Sequence, residues 1–191
     1  LELNVIHEHK SIFCPGWYRL KNRSHKYRDW KRGGHGNMDM VDAIAESCDV
    51  YFYDLAKNLG IDRLSSYLTL FGLGRRTGID ILGEASGLMP TRAWKRQVKK
   101  EVWYPGETLI AGIGQGFSLV SPLQLAVATA ALVNNGLFFA PRMVAATQNQ
   151  LNNNVEYLAS NVKQGRQIAS QGHWSRVIAM MEEVVHGPQG S

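Results

Sequence analysis

The sequence predicts an α+β fold, mostly helical, in a single domain over residues 1–191, and three observations lead there. Apolar residues recur at steps of three and four in several stretches that stop at glycine, the pattern of amphipathic helices. Ser11 to Gly36 is instead rich in Gly, Pro and Asn without clean periodicity, which reads as short strands and turns. A chain of 191 residues with 45% hydrophobic and 19% charged residues suits one ordinary core. No apolar run approaches the ~20 residues a bilayer span needs. Leu1 to Ile6 reads as the tail of a helix already under way, so an internal fragment of a longer protein is expected.

The central stretch is Glu46 to Gly60, with an apolar run from Met40 before it. Asp39 can cap a helix carrying Met40, Val41, Ile44 and Ala45, and a second face is written by Tyr51, Phe52, Leu55, Ala56 and Leu59 before Gly60. Ser47-Cys48-Asp49 lies between them. In one unbroken helix Ser47 and Asp49 would point about 200° apart. A break here, with Ser47 or Asp49 capping the second helix, puts those two on one side and Cys48 on the other.

Beyond Gly60, Asp62 is expected to cap a run with Leu64, Tyr67, Leu68 and Phe71, ended by Gly72 and Gly74. Thr77 to Met89 reads as loop and Thr91 to Lys99 as a short helix after Pro90, with Arg92, Lys95, Arg96, Lys99 and Lys100 as a solvated face. Ser121-Pro122-Leu123-Gln124 is a capping box with proline in the first helical position, opening a helix that runs to Gly136. Leu137 to Thr147 reads as two short strands about Pro141, and Asn149 to Gln167 as an exposed connection. The last helix, Ser170 to Val185, should bury Trp174, Val177, Ile178, Met181 and Val184.

The net charge of +5 is partly local, because Arg19 to Arg32 holds seven Lys or Arg interleaved with His25, Tyr27 and Trp30. Such a run can bind nucleic acid through phosphates and stacking. Asp29 and the Gly33-Gly34-His35-Gly36 turn interrupt it, and no helix-turn-helix, zinc-finger or RNP pattern accompanies it, so a solvated loop is the reading and no nucleic-acid partner is expected. Gly112-x-Gly114-x-Gly116 lacks the Lys-Ser/Thr of a phosphate loop and the spacing of a dinucleotide fingerprint. Its small residues fit close backbone packing better.

Ser47-Cys48-Asp49 resembles the S-x-N signature of penicillin-binding transpeptidases, whose other two signatures are S-x-x-K for the nucleophile and K-T-G on a strand. Its company is more specific. Gly78-Ile79-Asp80, Gly83-Glu84, Met89-Pro90-Thr91-Arg92-Ala93-Trp94-Lys95, Trp103-Tyr104-Pro105-Gly106-Glu107-Thr108, Gly112-Ile113-Gly114-Gln115-Gly116 and Ser121-Pro122-Leu123-Gln124-Leu125 follow in the order of the transpeptidase domain of the penicillin-binding protein 2 family. The resemblance covers about Ser11 to Ala128 and thins after Arg142. It implies a partial transpeptidase domain of serine β-lactamase-like fold, lacking most of its central sheet. Ser160-Asn161-Val162-Lys163 matches S-x-x-K in letters but follows Ser47, where the family places its nucleophile before it; Arg76-Thr77-Gly78 mimics K-T-G after a helix end.

The resemblance implies a parent D,D-transpeptidase that joins peptidoglycan stem peptides ending in D-Ala-D-Ala during cell elongation and is acylated by β-lactams. The nucleophile and the K-T-G strand are expected outside this stretch, which by itself should be inactive. Ser47 would relay the proton between the nucleophile's lysine and the departing amine, and Asp49 would contact the substrate amide. Asparagine is the commoner residue at that place, and an ionised carboxylate cannot donate a hydrogen bond. The implied partners are the RodA polymerase and the MreC scaffold, at the periplasmic face of an inner membrane reached by an anchor elsewhere in the chain. A non-enzymatic β-lactam sensor would need the same missing serine, and a zinc-stabilised nucleic-acid-binding module is the other rival class.

The two cysteines stand in the order Cys14-x14-Asp29-x5-His35-x12-Cys48. There is no Cys-x-x-Cys knuckle, so the spacing alone leaves a disulfide, two free thiols and a metal site open. The segment between is Gly-rich and needs a staple, and thiolate, imidazole and carboxylate are what tetrahedral zinc takes. Related family sequences carry Asp or Cys, then Asp, His and Cys at the matching places, which implies a structural zinc held by Cys14, Asp29, His35 and Cys48.

Overall fold

A computed structural model of the chain describes residues 1–7, 10–158, 162–163 and 170–190. The strands are β1 (Ile12–Cys14), β2 (Trp17–Tyr18), β3 (Tyr27–Arg28), β4 (Gly36–Met38), β5 (Phe138–Phe139), β6 (Ala146–Gln148), β7 (Val155–Tyr157) and β8 (Val162–Lys163). The helices are α1 (Met40–Ala45), α2 (Asp49–Leu59), α3 (Ile61–Leu70), α4 (Arg92–Val98), α5 (Pro105–Gly112), α6 (Pro122–Val133) and α7 (Gln171–His186). The fold is α+β and mostly helical, and among the described residues its sheets are all two-stranded. No helix among them is long and apolar enough to cross a membrane.

Two compact units make up the chain, the first comprising Leu1–Tyr67, Pro90–Ser118 and Ala169–Ser191, the second Leu68–Met89 and Leu119–Ile168. In the first, β1 pairs antiparallel with β4, Cys14 opposite Gly36, and β2 with β3. Its core gathers Met38, Met40, Ala43, Cys48, Val50, Tyr51, Tyr53 and Leu109. Helix α1 packs on α7 and α2 on α5. Gly112 makes the second contact possible, since a Cβ there would strike the Ala56 Cβ and lie 3.2 Å from the Phe52 carbonyl oxygen. The β2–β3 hairpin is held to α2 by hydroxyls, Tyr53 to the Arg28 carbonyl (3.1 Å) and Tyr18 to Asp54 (3.1 Å).

The second unit is organised by Gln124 at the start of α6. Ser121 accepts from the Gln124 N–H at 3.1 Å and Gln124 accepts from the Ser121 N–H at 3.2 Å, the reciprocal capping box. The Gln124 side-chain amide then donates to the Arg75 and Ser86 carbonyls at 2.6 and 2.8 Å, tying two loops to the helix start. Strands β5 with β8 and β6 with β7 complete this unit.

Several sequence expectations are corrected. Lys95 is not on a solvated face: its residue is 1% exposed, its ammonium pairs with Glu107 and, at 3.3 Å, with Glu101, and it lies over the Tyr104 ring. Burial works to lower its pKa, but the bonds to Glu107 and Glu101 outweigh that and hold it above the ordinary lysine value. Helix α3 starts at Ile61, directly after Gly60 turns the chain at φ 75°, so Asp62 sits in the first turn, accepting from the Arg92 N–H at 3.1 Å, rather than capping. On α7 the covered face follows Trp174, Val177, Met180 and Val184, which leaves Met181 41% exposed. Leu1 to Ile6 is turns, not a helix tail. The sequence pattern does not show helix α5 or the strands β7 and β8. The latter lie in the stretch read as an exposed connection, and the β7 side chains are indeed exposed.

Candidate metal centre and the adjoining serine hinge

The break between α1 and α2 is a helix-ending turn with a specific bonding pattern. Asp39 caps α1, accepting from the Val41 and Asp42 N–H groups at 2.8 and 3.0 Å. At the other end Cys48 N–H donates to the Ala43 carbonyl at 3.0 Å and Ser47 N–H to the Ile44 carbonyl at 3.4 Å. That pair of bonds is a Schellman motif, with Ser47 in the left-handed position at φ 55°. Glycine is the usual residue there because it has no Cβ to strain. Ala43 and Cys48, the two positions whose apolar contact commonly accompanies the motif, are both 0% exposed and lie in one core cluster.

Consequently Cys48 points into the core while Ser47 is exposed and Asp49 half-buried. The cap differs from expectation. Cys48 occupies the N-cap of α2 without a side-chain bond, and Asp49 is the first helical residue, where a carboxylate suits the positive end of the helix. The Asp49 carboxylate accepts from the Trp30 N–H at 3.0 Å, and desolvation raises its pKa.

Under the hinge, Cys14, Asp29, His35 and Cys48 converge, with one donor atom from each within 4.8 Å of the others. β1 delivers Cys14, the end of β3 delivers Asp29, and the turn into β4 delivers His35. Gly34, at φ 78°, lets that turn lie on the Cys14 carbonyl, where a Cβ would clash. Asp29 Oδ2 lies 3.5 Å from the Cys14 sulfur and 3.6 Å from the Cys48 sulfur, His35 Nδ1 lies 3.6 Å from the Cys14 sulfur, and Nδ1 is 3.4 Å from Asp29 Oδ1. Asp29 also accepts from the Val50 and Lys31 N–H groups at 3.2 and 3.0 Å, which anchors it to both α2 and its own loop.

The donor set fits a tetrahedral zinc. Metal–sulfur bonds of about 2.3 Å and metal–nitrogen or –oxygen bonds of about 2.0 Å imply ligand–ligand edges of about 3.3–3.8 Å, and the separations of 3.5 and 3.6 Å from Asp29 Oδ2 to the two sulfurs and of 3.6 Å from His35 Nδ1 to the Cys14 sulfur fall there. The two cysteines are not joined to each other. His35 Nε2 is buried without a hydrogen-bond partner among the described residues. Burial pushes the Cys48 thiol pKa up, so a cation is what would favour its thiolate.

Of the lookalike motifs, Arg76-Thr77-Gly78 lies in a loop where Glu84 accepts from the Thr77 and Gly78 N–H groups at 2.6 and 3.1 Å. Ser160 and Asn161 lie outside the described residues. The side chain that sequence reading passed over is Trp30, whose place beside Asp29 was the available signal.

The model of the penicillin binding protein transpeptidase domain matches residues 1–191, and the chain belongs to that family. Within it, the chain is similar to the peptidoglycan D,D-transpeptidase MrdA of Escherichia coli K12, 42% identical over 147 residues that make up 77% of this chain and 23% of that protein. The structure of Pseudomonas aeruginosa penicillin-binding protein 2 in complex with WCK 5153 superposes with a TM-score of 0.88 at 41% identity, covering 99% of this chain and 40% of that one. Penicillin-binding protein 2 of Helicobacter pylori, in its complex with MreC, gives 0.79 at 31% identity, covering 97% and 32%. The chain therefore spans about a quarter of the E. coli relative's length, 23%.

Proposed function

We propose that this chain is the section of a peptidoglycan D,D-transpeptidase that carries the proton-relay serine and a structural zinc site. The observation that supports it best is Ser47, a hydroxyl-bearing residue exposed in a left-handed turn where helices usually end in glycine. Strain of that kind is retained where the side chain is needed. In cross-linking, a nucleophilic serine outside these residues attacks the penultimate D-alanine carbonyl of a stem peptide, and the terminal D-alanine leaves as an amine that must gain a proton. Ser47 passes it, accepting a hydrogen bond from the nucleophile's lysine and donating toward the leaving nitrogen. The Asp49 carboxylate, one oxygen already taken by Trp30, offers the other to a substrate N–H.

Cys14, Asp29, His35 and Cys48 would hold the zinc, whose contribution when bound is to close the 14–48 loop and fix the Cys48 side of the hinge. The substrate is a D-Ala-D-Ala-terminated stem peptide, mimicked by β-lactams. RodA and MreC are the partners and the periplasmic face of the inner membrane is the location, in keeping with the H. pylori relative found with MreC.

A fluorescent penicillin tests the reading. It should acylate the full-length protein and leave the isolated 191-residue chain unlabelled, and elemental analysis should find one zinc per full-length chain. A full-length protein that takes no label would refute the transpeptidase assignment, and adduct at Ser160 would overturn the placing of the nucleophile outside these residues. Absence of zinc with the sulfurs of Cys14 and Cys48 bonded to each other would refute the metal.

A further inference from the structure

We infer that Trp30 is a positioning residue for Ser47, acting through its indole N–H; the inference rests on the transpeptidase reading above. Trp30 is 59% exposed, yet both of its donors are committed to the hinge. Its backbone N–H donates to Asp49 Oδ2 at 3.0 Å. Its indole N–H is shared between two consecutive carbonyls, Glu46 at 3.1 Å and Ser47 at 3.0 Å.

In extended backbone, successive carbonyls point to opposite sides, so one donor can reach both only where the chain curls between them. The curl here is Ser47 at φ 55°. The indole thus favours the one conformation of Ser47 that an L residue disfavours. It also satisfies carbonyls that a helix end would otherwise leave to water. The Schellman bonds fix the turn from the core side, and Trp30 fixes it from the solvent side.

Trp30 itself is placed by its neighbours. Asp29 before it is buried among the four donors, Lys31 after it pairs with Glu46 at 3.4 Å, and its ring lies edge-on to His35 with centroids 5.5 Å apart. A shift of Asp29 or His35 would therefore reach Ser47 through this ring. That makes Trp30 the link from the candidate metal centre to the exposed hydroxyl.

Trp30→Phe in the full-length protein removes the indole donor while keeping an aromatic ring and the backbone N–H. Acylation by a fluorescent penicillin is resolved into a binding constant and an acylation rate constant, alongside zinc content, melting temperature and amide exchange of the peptide spanning Glu46 to Val50. The rate constant should fall about tenfold and the binding constant change less than about twofold. Exchange at the hinge should quicken while zinc content and melting temperature hold. An unchanged rate constant, unchanged exchange, or a rate loss that only follows lost zinc and lost stability would overturn the inference. If the unsubstituted protein takes no label, the transpeptidase reading fails, and the exchange comparison still decides whether Trp30 holds the hinge.

Discussion

Ser47 is the residue at which conformation and chemistry pull in opposite directions. A left-handed φ on a non-glycine residue carries a penalty of about 1 kcal/mol or more, and Ser47 pays it at 55°. Ser47→Gly in the full-length protein should therefore leave thermal stability unchanged or raise it by up to about 1 kcal/mol, while acylation slows by about a hundredfold. Calorimetry beside penicillin labelling measures both, and stability and activity falling together would show a structural role instead. The sequence made part of this legible: two amphipathic faces with a polar triplet between them require a break, and the break lies there. The handedness of Ser47 was not legible, because the usual glycine signal is absent. Lys95 misled for a similar reason, since its letter says charge and only Glu101 and Glu107, brought from elsewhere in the chain, explain why it is buried.

The helix starts at Asp39 and at Ser121 with Gln124 are legible because those side chains do cap, whereas Asp49 and Asp62, read as caps, lie inside the first turns of α2 and α3. Helix α5 was missed, although Pro105 stands at its first position and Glu107 accepts from the Tyr104 N–H at 2.8 Å. Eight residues holding two glycines show too little periodicity to be seen. The 77–84 loop of the second unit is held by a carboxylate. Glu84 accepts from the Thr77 hydroxyl at 2.6 Å and from the Thr77 and Gly78 N–H groups, and these bonds hold its pKa below the ordinary 4.5. A depressed carboxylate stabilises the folded loop fully above its unfolded pKa and ceases to as pH falls through the folded value. Acid should thus loosen the 77–84 loop below about pH 4.5. Glu84→Gln should flatten that acid limb in amide-exchange measurements across pH, and an identical acid profile in the variant would show that these bonds do not hold the loop.

At the scale of the whole molecule, the four donors and the hinge belong to one compact unit, with Cys14 brought from β1, Asp29 from just after β3, His35 from the turn into β4 and Cys48 from the N-cap of α2. Their spacing alone leaves disulfide, free thiols and metal open, and the family resemblance, not periodicity, singles out this set. On the proposed reading, metal, Asp29, Trp30 and the Schellman turn form one mechanical chain ending at the Ser47 hydroxyl. The most direct test is to strip zinc from the full-length protein with a chelator and follow acylation by a fluorescent penicillin before and after zinc is restored. Acylation should fall by about tenfold or more, both buried thiols should become reactive, and added zinc should restore the rate. A metal-free protein that is acylated at the full rate, with its thiols still protected, would contradict it.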